Sequence, residues 1–273
     1  MDEVRSLEET ANRVRMDCLR IIHRAQSGHP GGSLSAADLL TVLYYHTLRI
    51  DPNYPKWPDR DRFVLSKGHA APAVFVLLAY RGFYPLEELD GFRQTDGNLQ
   101  GTVSIENPGG DMTVGSLGQY LSVGCGMAIA GRMDRKDYRV YVLLGDGELQ
   151  EGQVWEAAMT AGHYRLGNLI AILDYNKVQM CAPVAEVVDI ADPVAKFEAF
   201  GWNVVRIDGH DIRQIMDVLD AIPNQHNGRP TMVVADTVKG KGVSFMEGRF
   251  EWHGGAPTDE QLAQALGELE GKP

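Results

Sequence analysis

Alternating strand and helix patterns in the second half of the chain limit its fold more than any other feature of the sequence. Short apolar runs of strand length occur at 139–144, 168–174, 202–207 and 231–235, and helical patterns separate them at 154–164, 191–200 and 212–221. Strands that alternate with helices form parallel sheets with helices on both faces. We therefore predict an α/β fold built around a parallel sheet.

The first half of the chain is predicted to be mainly helical. Helical patterns cover 4–26, 36–47, 71–81 and 117–132, with a short strand at 63–65 and a capping box that begins a last helix at Thr258. The segment 27–33 and the long glycine-rich stretch 93–115 are predicted loops, and loops as long as the second are often functional. No linker or repeat interrupts the chain, so we predict one domain over residues 1–273.

The composition excludes several classes of protein. The chain has 273 residues and a net charge of −11, whereas nucleic-acid-binding domains carry a basic surface. Its three cysteines form no CxxC pair, which excludes a disulfide scaffold and a thiolate zinc site and favours a reducing compartment. The longest apolar run, 70–80, is too short to cross a membrane, and the polar N-terminus is unlike a signal peptide. We expect a soluble cytoplasmic protein that binds neither nucleic acid nor membrane.

Two polar residues follow neighbouring strands of the predicted sheet. Asp146 ends one strand, and Asn176 ends the next, one strand–helix–strand unit later. Because right-handed crossovers bring such loops to the same edge, the carboxylate and the amide oxygen are expected to converge. Such oxygen ligands suit Mg²⁺ shared with substrate phosphates, and the backbone N–H of Gly147 could meet a phosphate oxygen. Spacing alone leaves open a tight turn beside an unrelated asparagine.

Several short motifs together carry a family resemblance. They are GDGELQEG at 145–152, AGHYRLGNLIAI at 161–172, DYNKV at 174–178, SGHPG at 27–31, SKGHA at 66–70, GSLGQ at 115–119 and WHG at 252–254. The GDG and the asparagine that follows it resemble the thiamine diphosphate motif, and the full set in this order resembles transketolases. A GDG alone would be weak evidence, whereas the ordered set is specific and spans nearly the whole chain.

The resemblance implies the diphosphate-binding (PP-type) domain of a thiamine diphosphate enzyme. Typical transketolases are more than twice as long and have three domains, so the chain resembles the N-terminal subunit of a split transketolase. The implied partner is the C-terminal transketolase subunit, which supplies the glutamate that binds the pyrimidine ring, in an α₂β₂ heterotetramer. The implied reaction transfers a two-carbon ketol unit from a ketose or ketose phosphate to an aldose.

The resemblance also implies roles for individual residues. The metal that bridges the cofactor diphosphate, Mg²⁺ or else Ca²⁺ or Mn²⁺, would be bound by Asp146, Asn176 and the carbonyl of Val178. Further contacts to thiamine diphosphate would come from His69, Gly115, Ser116, Leu117, Gly147, Glu151 and His253, with Glu151 near the subunit interface. The catalytic residues would be His29, His69 and His253, and the substrate would contact His29, Thr102 and His253.

Two departures from the family pattern lie beside the expected site. Thr102 stands where the family has a histidine that helps to hold the transferred two-carbon unit, and Tyr120 replaces the second glycine of GQG. Threonine can still donate a hydrogen bond, but it cannot carry a positive charge. The donor preference is therefore open.

Two alternative functions remain open on the sequence alone. The chain could belong to another thiamine diphosphate enzyme, of the 2-oxo-acid dehydrogenase or deoxyxylulose-phosphate synthase type, or it could be a non-catalytic regulatory relative. His163 is expected to pack at a helix end and His210 to organise a turn. The sequence KGKG at 239–242 could attract phosphate or form a solvated loop.

Overall fold

Five parallel strands form the sheet at the centre of the molecule, in the order β1-β2-β3-β5-β4. The computed structural model describes residues 2–225 and 227–271. The strands are β1 (Arg62–Leu65), β2 (Val140–Gly145), β3 (Leu169–Tyr175), β4 (Asn203–Asp208) and β5 (Thr231–Asp236). The predicted parallel α/β fold is therefore confirmed.

Helices precede, connect and follow these strands. Within the described ranges they are α1 (Glu3–Ala25), α2 (Pro30–Ser35), α3 (Ala37–Val42), α4 (Ala71–Tyr80), α5 (Tyr120–Met133), α6 (Gly152–Tyr164), α7 (Val184–Val187), α8 (Pro193–Ala199), α9 (Ile212–Gln225) and α10 (Asp259–Leu269). A π-helical turn at Leu43–Thr47 extends α3, and 3₁₀ turns occur at Gly68–Ala70, Leu86–Gly91, Gly147–Gln150 and Phe250–Trp252.

The register of the sheet aligns the carboxyl ends of its central strands. Gly145 at the end of β2 pairs with Asp174 in β3, and Tyr175 at the end of β3 pairs with Asp236 at the end of β5. These three strands are buried along almost their whole length, as expected for parallel strands covered on both faces. The loops that follow them open at one edge of the sheet, which is where α/β proteins bind ligands.

Helix α1 packs against α3, α4 and α10. Its buried residues recur at helical spacing, as in Val14, Cys18 and Ile22, and the Nδ2 atom of Asn12 donates to the carbonyl of Leu269 in α10 at 2.6 Å. One hydrophobic core includes residues from α1 through α10. The single domain over residues 1–273 stays a prediction. No helix within residues 2–225 and 227–271 is both long enough and apolar enough to cross a bilayer.

Two helix boundaries differ from the sequence prediction because of backbone conformation. The segment 27–33 is a predicted loop, but α2 begins inside it at Pro30, whose fixed φ suits the first turn of a helix. Helix α5 begins at Tyr120 rather than at Leu117, because Gly118 adopts a φ of +86° that a helix cannot contain.

Two other helix starts follow side-chain caps. The predicted capping box at Thr258 is confirmed, with Gln261 as its second member. Helix α8 begins at Pro193, two residues later than predicted, because Asp192 accepts from the backbone N–H of Val194 and caps the first turn.

Candidate functional site

A cavity of about 230 Å³ opens at the carboxyl edge of the sheet. Its lining consists of Lys67, His69, Leu117, Gly145, Asp146, Gly147, Glu148, Gln150, Asn176, Val178, Gln179, Met180, Lys239 and His253. A larger depression of about 570 Å³ lies at the opposite edge, beside Arg139 and Asn168. We take the smaller cavity as the candidate site because the strand-end loops converge on it.

The loops after β2 and β3 meet at Asp146. One carboxylate oxygen of Asp146 accepts from the N–H of Gly147 at 2.8 Å, and the other accepts from the N–H of Lys177. Asn176 lies beside them and accepts through Oδ1 from the N–H of Val178 at 3.1 Å. The structure therefore brings together the two strand-end loops that the sequence analysis expected to converge.

The Asp146 carboxylate is buried under conditions that favour a bound cation. Burial and the charge of Asp174 raise the pKa of Asp146 to about 6, although two backbone N–H groups oppose this rise. Among the described residues, no three histidine, cysteine or acidic side chains are grouped to hold a metal. A divalent ion here would use the carboxylate, the Asn176 amide, the Val178 carbonyl and oxygens of its ligand, a combination that suits Mg²⁺. The residues present fit the metal that the resemblance implies.

A buried ion pair lies beside the cavity. The ammonium group of Lys67 at the end of β1 pairs with Asp174 in β3, and it also donates to the carbonyl of Gly32 at 3.0 Å. Asp174 accepts in addition from the hydroxyl groups of Ser35, at 2.6 Å, and of Thr237. Burial opposes the charge of Asp174, but Lys67 and these hydrogen bonds hold its pKa below the ordinary value.

Three histidine rings pack against one another beside the cavity. The ring centroids are 5.5 Å apart for His29 and His69, 5.6 Å for His29 and His253, and 4.9 Å for His69 and His253. Burial lowers the pKa of all three, and the charge of Lys239 helps to lower that of His253 to about 3. The imidazoles are therefore neutral at pH 7, and each can both donate and accept a hydrogen bond.

Lys239 extends from the segment after β5 into the cavity. Its ammonium group donates to the carbonyl of Val178 and to Nδ1 of His253, both at 2.9 Å. The residue is 2% exposed, and burial together with Lys67 lowers the pKa of Lys239 to about 8. Two ammonium groups thus border one small cavity, which favours a ligand with several negative charges.

Glycine at position 31 allows α2 to approach this cluster closely. A Cβ atom on Gly31 would lie 2.6 Å from the carbonyl oxygen of Trp252 and 3.0 Å from Cγ of Lys239. On Gly32 it would lie 3.0 Å from Nε2 of His69. Because Gly31 and Gly32 have no side chains, α2 can pack directly against Lys239 and His69.

Thr102 lies near the histidine cluster. A Cβ atom on Gly68 would be 3.5 Å from Cγ2 of Thr102 and 3.5 Å from the backbone nitrogen of Gly115. Both segments therefore reach the residue before His69. Leu117 lines the cavity and is 42% exposed, and Gly115 and Ser116 are exposed beside it.

Buried hydrogen bonds hold the loop 115–118 in place. The N–H of Ser116 donates to the hydroxyl of Tyr120 at 3.2 Å, and the N–H of Gly118 donates to Glu148 at 2.8 Å. Glu148 is 3% exposed and also accepts from the hydroxyl of Ser66. It therefore ties this loop to the end of β1.

Glu151 occupies a different position from the other predicted cofactor residues. It is exposed, does not line the cavity, and packs its Cβ and Cγ atoms close to Gly118. Its side chain therefore supports the loop 115–118 from outside.

Sequence reasoning gave no role to Lys67 or Glu148, although both lie inside the quoted motifs. The available signal was a charged residue two or three positions after the end of an apolar strand. For KGKG the sequence left two possibilities, and the structure separates its lysines. Lys239 lines the cavity, whereas Lys241 borders another depression, beside β4.

The charge of Lys239 is expected to control the titration of His253. In a Lys239→Met variant the pKa of His253 rises because the repulsion is lost, but it stays below the ordinary value because the ring remains buried. The measurement is an NMR titration of the imidazole from about pH 8 down to about pH 3, a range that includes the lowered pKa of His253 in the wild type. Lys241→Met is the matched control and leaves the His253 titration unchanged. Equal curves for wild type and Lys239→Met would contradict the assignment.

Comparison with known proteins finds one matching family and relatives whose names agree with that family. The family described as "Transketolase, thiamine diphosphate binding domain" matches residues 6–271. An apulose-4-phosphate transketolase subunit of Phocaeicola vulgatus is 41% identical, over 98% of this chain and 95% of its own length. The 6-deoxy-6-sulfo-D-fructose transketolase subunit SqwG of Clostridium sp. is 43% identical, over 97% of this chain and 96% of its own length.

Longer transketolases match over part of their length. Human transketolase is 40% identical over 97% of this chain, and the match spans 42% of the human protein. The crystal structure of Campylobacter jejuni transketolase superimposes with a TM-score of 0.92 at 33% identity, covering 98% of this chain and 43% of that one. The chain therefore belongs to the transketolase family and corresponds to its thiamine diphosphate-binding domain.

Proposed function

We propose that this chain is the thiamine diphosphate-binding subunit of a two-component transketolase that transfers a two-carbon ketol unit from a ketose or ketose phosphate to an aldose. The observation that carries the proposal is the convergence of a buried carboxylate, two buried lysines and three neutral histidines at the carboxyl edge of the sheet. Two relatives of matching length are themselves named transketolase subunits.

The diphosphate and its metal would occupy the inner part of the cavity. Asp146, Asn176 and the Val178 carbonyl would bind Mg²⁺, and the Lys239 ammonium group would exchange its contact with that carbonyl for the phosphate oxygens. The N–H of Gly147, which donates to Asp146 in the structure, would likewise turn to a phosphate oxygen. Bound thiamine diphosphate supplies an electron sink for the carbanion that forms when the ketose chain is cleaved. Gly115, Ser116 and Leu117 would border its pyrimidine ring, and Glu151 would support their loop at the interface.

The histidine cluster would act on the sugar. His29 and His253 would exchange protons with substrate hydroxyl groups, and His69 would contact both the cofactor and the reacting carbons. Because low pKa values keep the three rings neutral, they would act on the substrate hydroxyl groups as hydrogen-bond donors and acceptors rather than as fixed charges. Thr102 would contact the transferred unit through its hydroxyl group.

A second chain would complete the site. Leu117 and Met180 line the cavity yet are 42% and 70% exposed, and apolar side chains at the rim of a cavity are typical of a surface that another protein covers. We propose that the cover is the C-terminal transketolase subunit with its pyrimidine-binding glutamate, in an α₂β₂ assembly. The free thiols of Cys18, Cys125 and Cys181 support a cytoplasmic location.

An activity assay of the reconstituted two-chain complex tests the reaction class. The complex is expected to turn over a ketose donor with an aldose acceptor and not to decarboxylate 2-oxo acids, because the histidine cluster is suited to hydroxyl groups. A complex that contains His29→Ala, with its melting temperature measured alongside, is the control and is expected to lose ketol transfer. Faster turnover of 2-oxo acids would support another thiamine diphosphate enzyme, and no turnover of either class would support a non-catalytic relative.

Removal of the Asp146 charge is expected to abolish the metal dependence of cofactor binding. In Asp146→Asn, Mg²⁺ no longer strengthens thiamine diphosphate binding, and affinity falls by at least about tenfold because the metal loses its charged protein ligand. Calorimetry on the reconstituted complex, with Mg²⁺ and with EDTA, measures this.

Asp192→Asn is the control for this experiment, because it removes a carboxylate charge outside the cavity and keeps a residue that can cap α8. Its affinity should match that of the wild type. An Asp146→Asn complex that still responds to Mg²⁺ would show that the metal is bound elsewhere.

Thr102 is expected to set the donor preference. Thr102→His restores the family residue, and the ranking of ketose donors should shift by about tenfold in kcat/KM, the scale of one polar contact. Thr95→His introduces the same side chain on an exposed part of the same loop and should change nothing. An unchanged ranking in Thr102→His would mean that this side chain does not touch the substrate.

A further inference from the structure

The sequence DGHD at 208–211 forms the turn between β4 and α9, outside the cavity. Asp208 accepts through its side chain from the N–H of His210 at 2.9 Å, and Asp211 accepts from the N–H of Gln214 at 3.0 Å. Both aspartates therefore organise the turn, a role that the sequence analysis gave to His210.

Gly209 brings this turn against the end of β5. Its N–H donates to the carbonyl of Asp236 at 2.8 Å, and a Cβ atom at this position would lie 2.5 Å from Cγ2 of Thr237. Any larger residue would push the turn away from β5. The imidazole of His210 consequently lies against the segment that leads to Lys239.

The two ring nitrogens of His210 have different partners. Nδ1 lies 2.6 Å from Oδ2 of Asp38, and Nε2 lies 2.9 Å from the backbone nitrogen of Val238. Since a backbone N–H can only donate, Nε2 is the acceptor and the ring proton is on Nδ1, where it is donated to Asp38. The side chain is 12% exposed, so water competes little for either contact.

Asp38 gives the ring a fixed anchor. It is 5% exposed in α3 and is paired with Arg15 of α1, which is 6% exposed. Burial opposes its charge, but Arg15 and His210 hold the pKa of Asp38 below the ordinary value. The imidazole therefore connects a rigid pair of helices to the backbone of Val238.

Each residue of the segment 237–239 is held by a different contact. The hydroxyl of Thr237 donates to Asp174, the N–H of Val238 donates to His210, and the ammonium group of Lys239 donates to Val178 and His253. Backbone hydrogen bonds hold the other side of Lys239, from the N–H of Gly240 to the carbonyl of Gly31 at 3.0 Å and from the N–H of Gly248 to the carbonyl of Lys239 at 2.8 Å. The contact to His210 is the side-chain contact that holds the peptide N–H on the N-terminal side of the lysine. The direction in which the Lys239 side chain leaves the backbone therefore depends in part on His210.

We propose that His210 is a positioning residue, which fixes the backbone at Val238 and thereby holds the Lys239 ammonium group in the cavity to bind the diphosphate. The part of this proposal that concerns the diphosphate rests on the proposed function, whereas the part that concerns the backbone does not.

Isosteric variants of His210 test the hydrogen bonds of its two ring nitrogens separately. An asparagine amide can replace Nδ1 and keep the contact to Asp38, whereas a glutamine amide can replace Nε2 and accept from Val238. His210→Asn, His210→Gln and Lys239→Met are compared with the wild type in the reconstituted complex. Hydrogen–deuterium exchange of the peptide that contains 237–241 reports the backbone, and calorimetry with magnesium pyrophosphate reports the anion.

A histidine elsewhere serves as the control for general loss of stability. His46 joins Glu3 of α1 and Asp220 of α9 through its two ring nitrogens, at 2.9 and 3.0 Å, away from the cavity. His46→Asn is expected to lower the melting temperature without changing exchange at 237–241 or pyrophosphate affinity.

The expected result is a contrast between the two isosteres. His210→Asn speeds exchange at 237–241 and weakens pyrophosphate binding by about tenfold, the scale of one buried hydrogen bond, and His210→Gln stays near the wild type in both. Unchanged exchange in His210→Asn, faster exchange with unchanged affinity, or equal losses in both variants would overturn the proposal.

The Lys239→Met complex separates this proposal from the proposed function. It is expected to bind pyrophosphate weakly without faster exchange at 237–241. If it binds as tightly as the wild type, Lys239 is not the anion ligand and that part of the proposed function fails. A contrast in exchange between His210→Asn and His210→Gln would still support the role of His210 in fixing the segment.

Discussion

Lys67 and Asp174 form an ion pair beside the cavity, and the geometry of the site depends on it. Lys67 is 1% exposed and Asp174 is 0% exposed, so both charged groups are desolvated. Such a pair is tolerated only when its remaining hydrogen-bonding groups are satisfied, here by Ser35, Thr237 and the carbonyl of Gly32. The pair joins β1, β3, α2 and the segment after β5. Loss of either partner would leave the other charged and buried, at a cost of about 3–5 kcal/mol.

The same pair sets the electrostatics of its neighbours. After burial, the charge of Lys67 is the largest cause of the lowered pKa of His69, and the charge of Asp174 is the largest cause of the raised pKa of Asp146. The cavity therefore contains neutral imidazoles on one side and a carboxylate in need of a cation on the other. A metal-bound diphosphate, the ligand we propose, would satisfy both the lysines and the carboxylate, and the neutral imidazoles would remain available for the substrate.

The parallel sheet and the meeting of the Asp146 and Asn176 loops could be predicted because strand–helix alternation and the handedness of crossovers determine both. The pairing of Lys67 with Asp174 could not, since the two residues are 107 positions apart and no local pattern links them. The start of α2 at Pro30 was missed for a similar reason. Its glycines look like a loop in the sequence, but they are needed for the close approach of Trp252 and Lys239. The turn at His210 was expected, whereas its contact with Val238 depends on tertiary packing.

We propose that this cavity is one half of a thiamine diphosphate site whose other half lies on a second chain. Calorimetric titration of thiamine diphosphate with Mg²⁺ tests it most directly, on this chain alone, on the partner alone, and on their mixture. We expect tight binding of one cofactor per pair of chains in the mixture and weak binding to either chain alone. Equally tight binding to this chain alone, or no binding to the mixture, would contradict it.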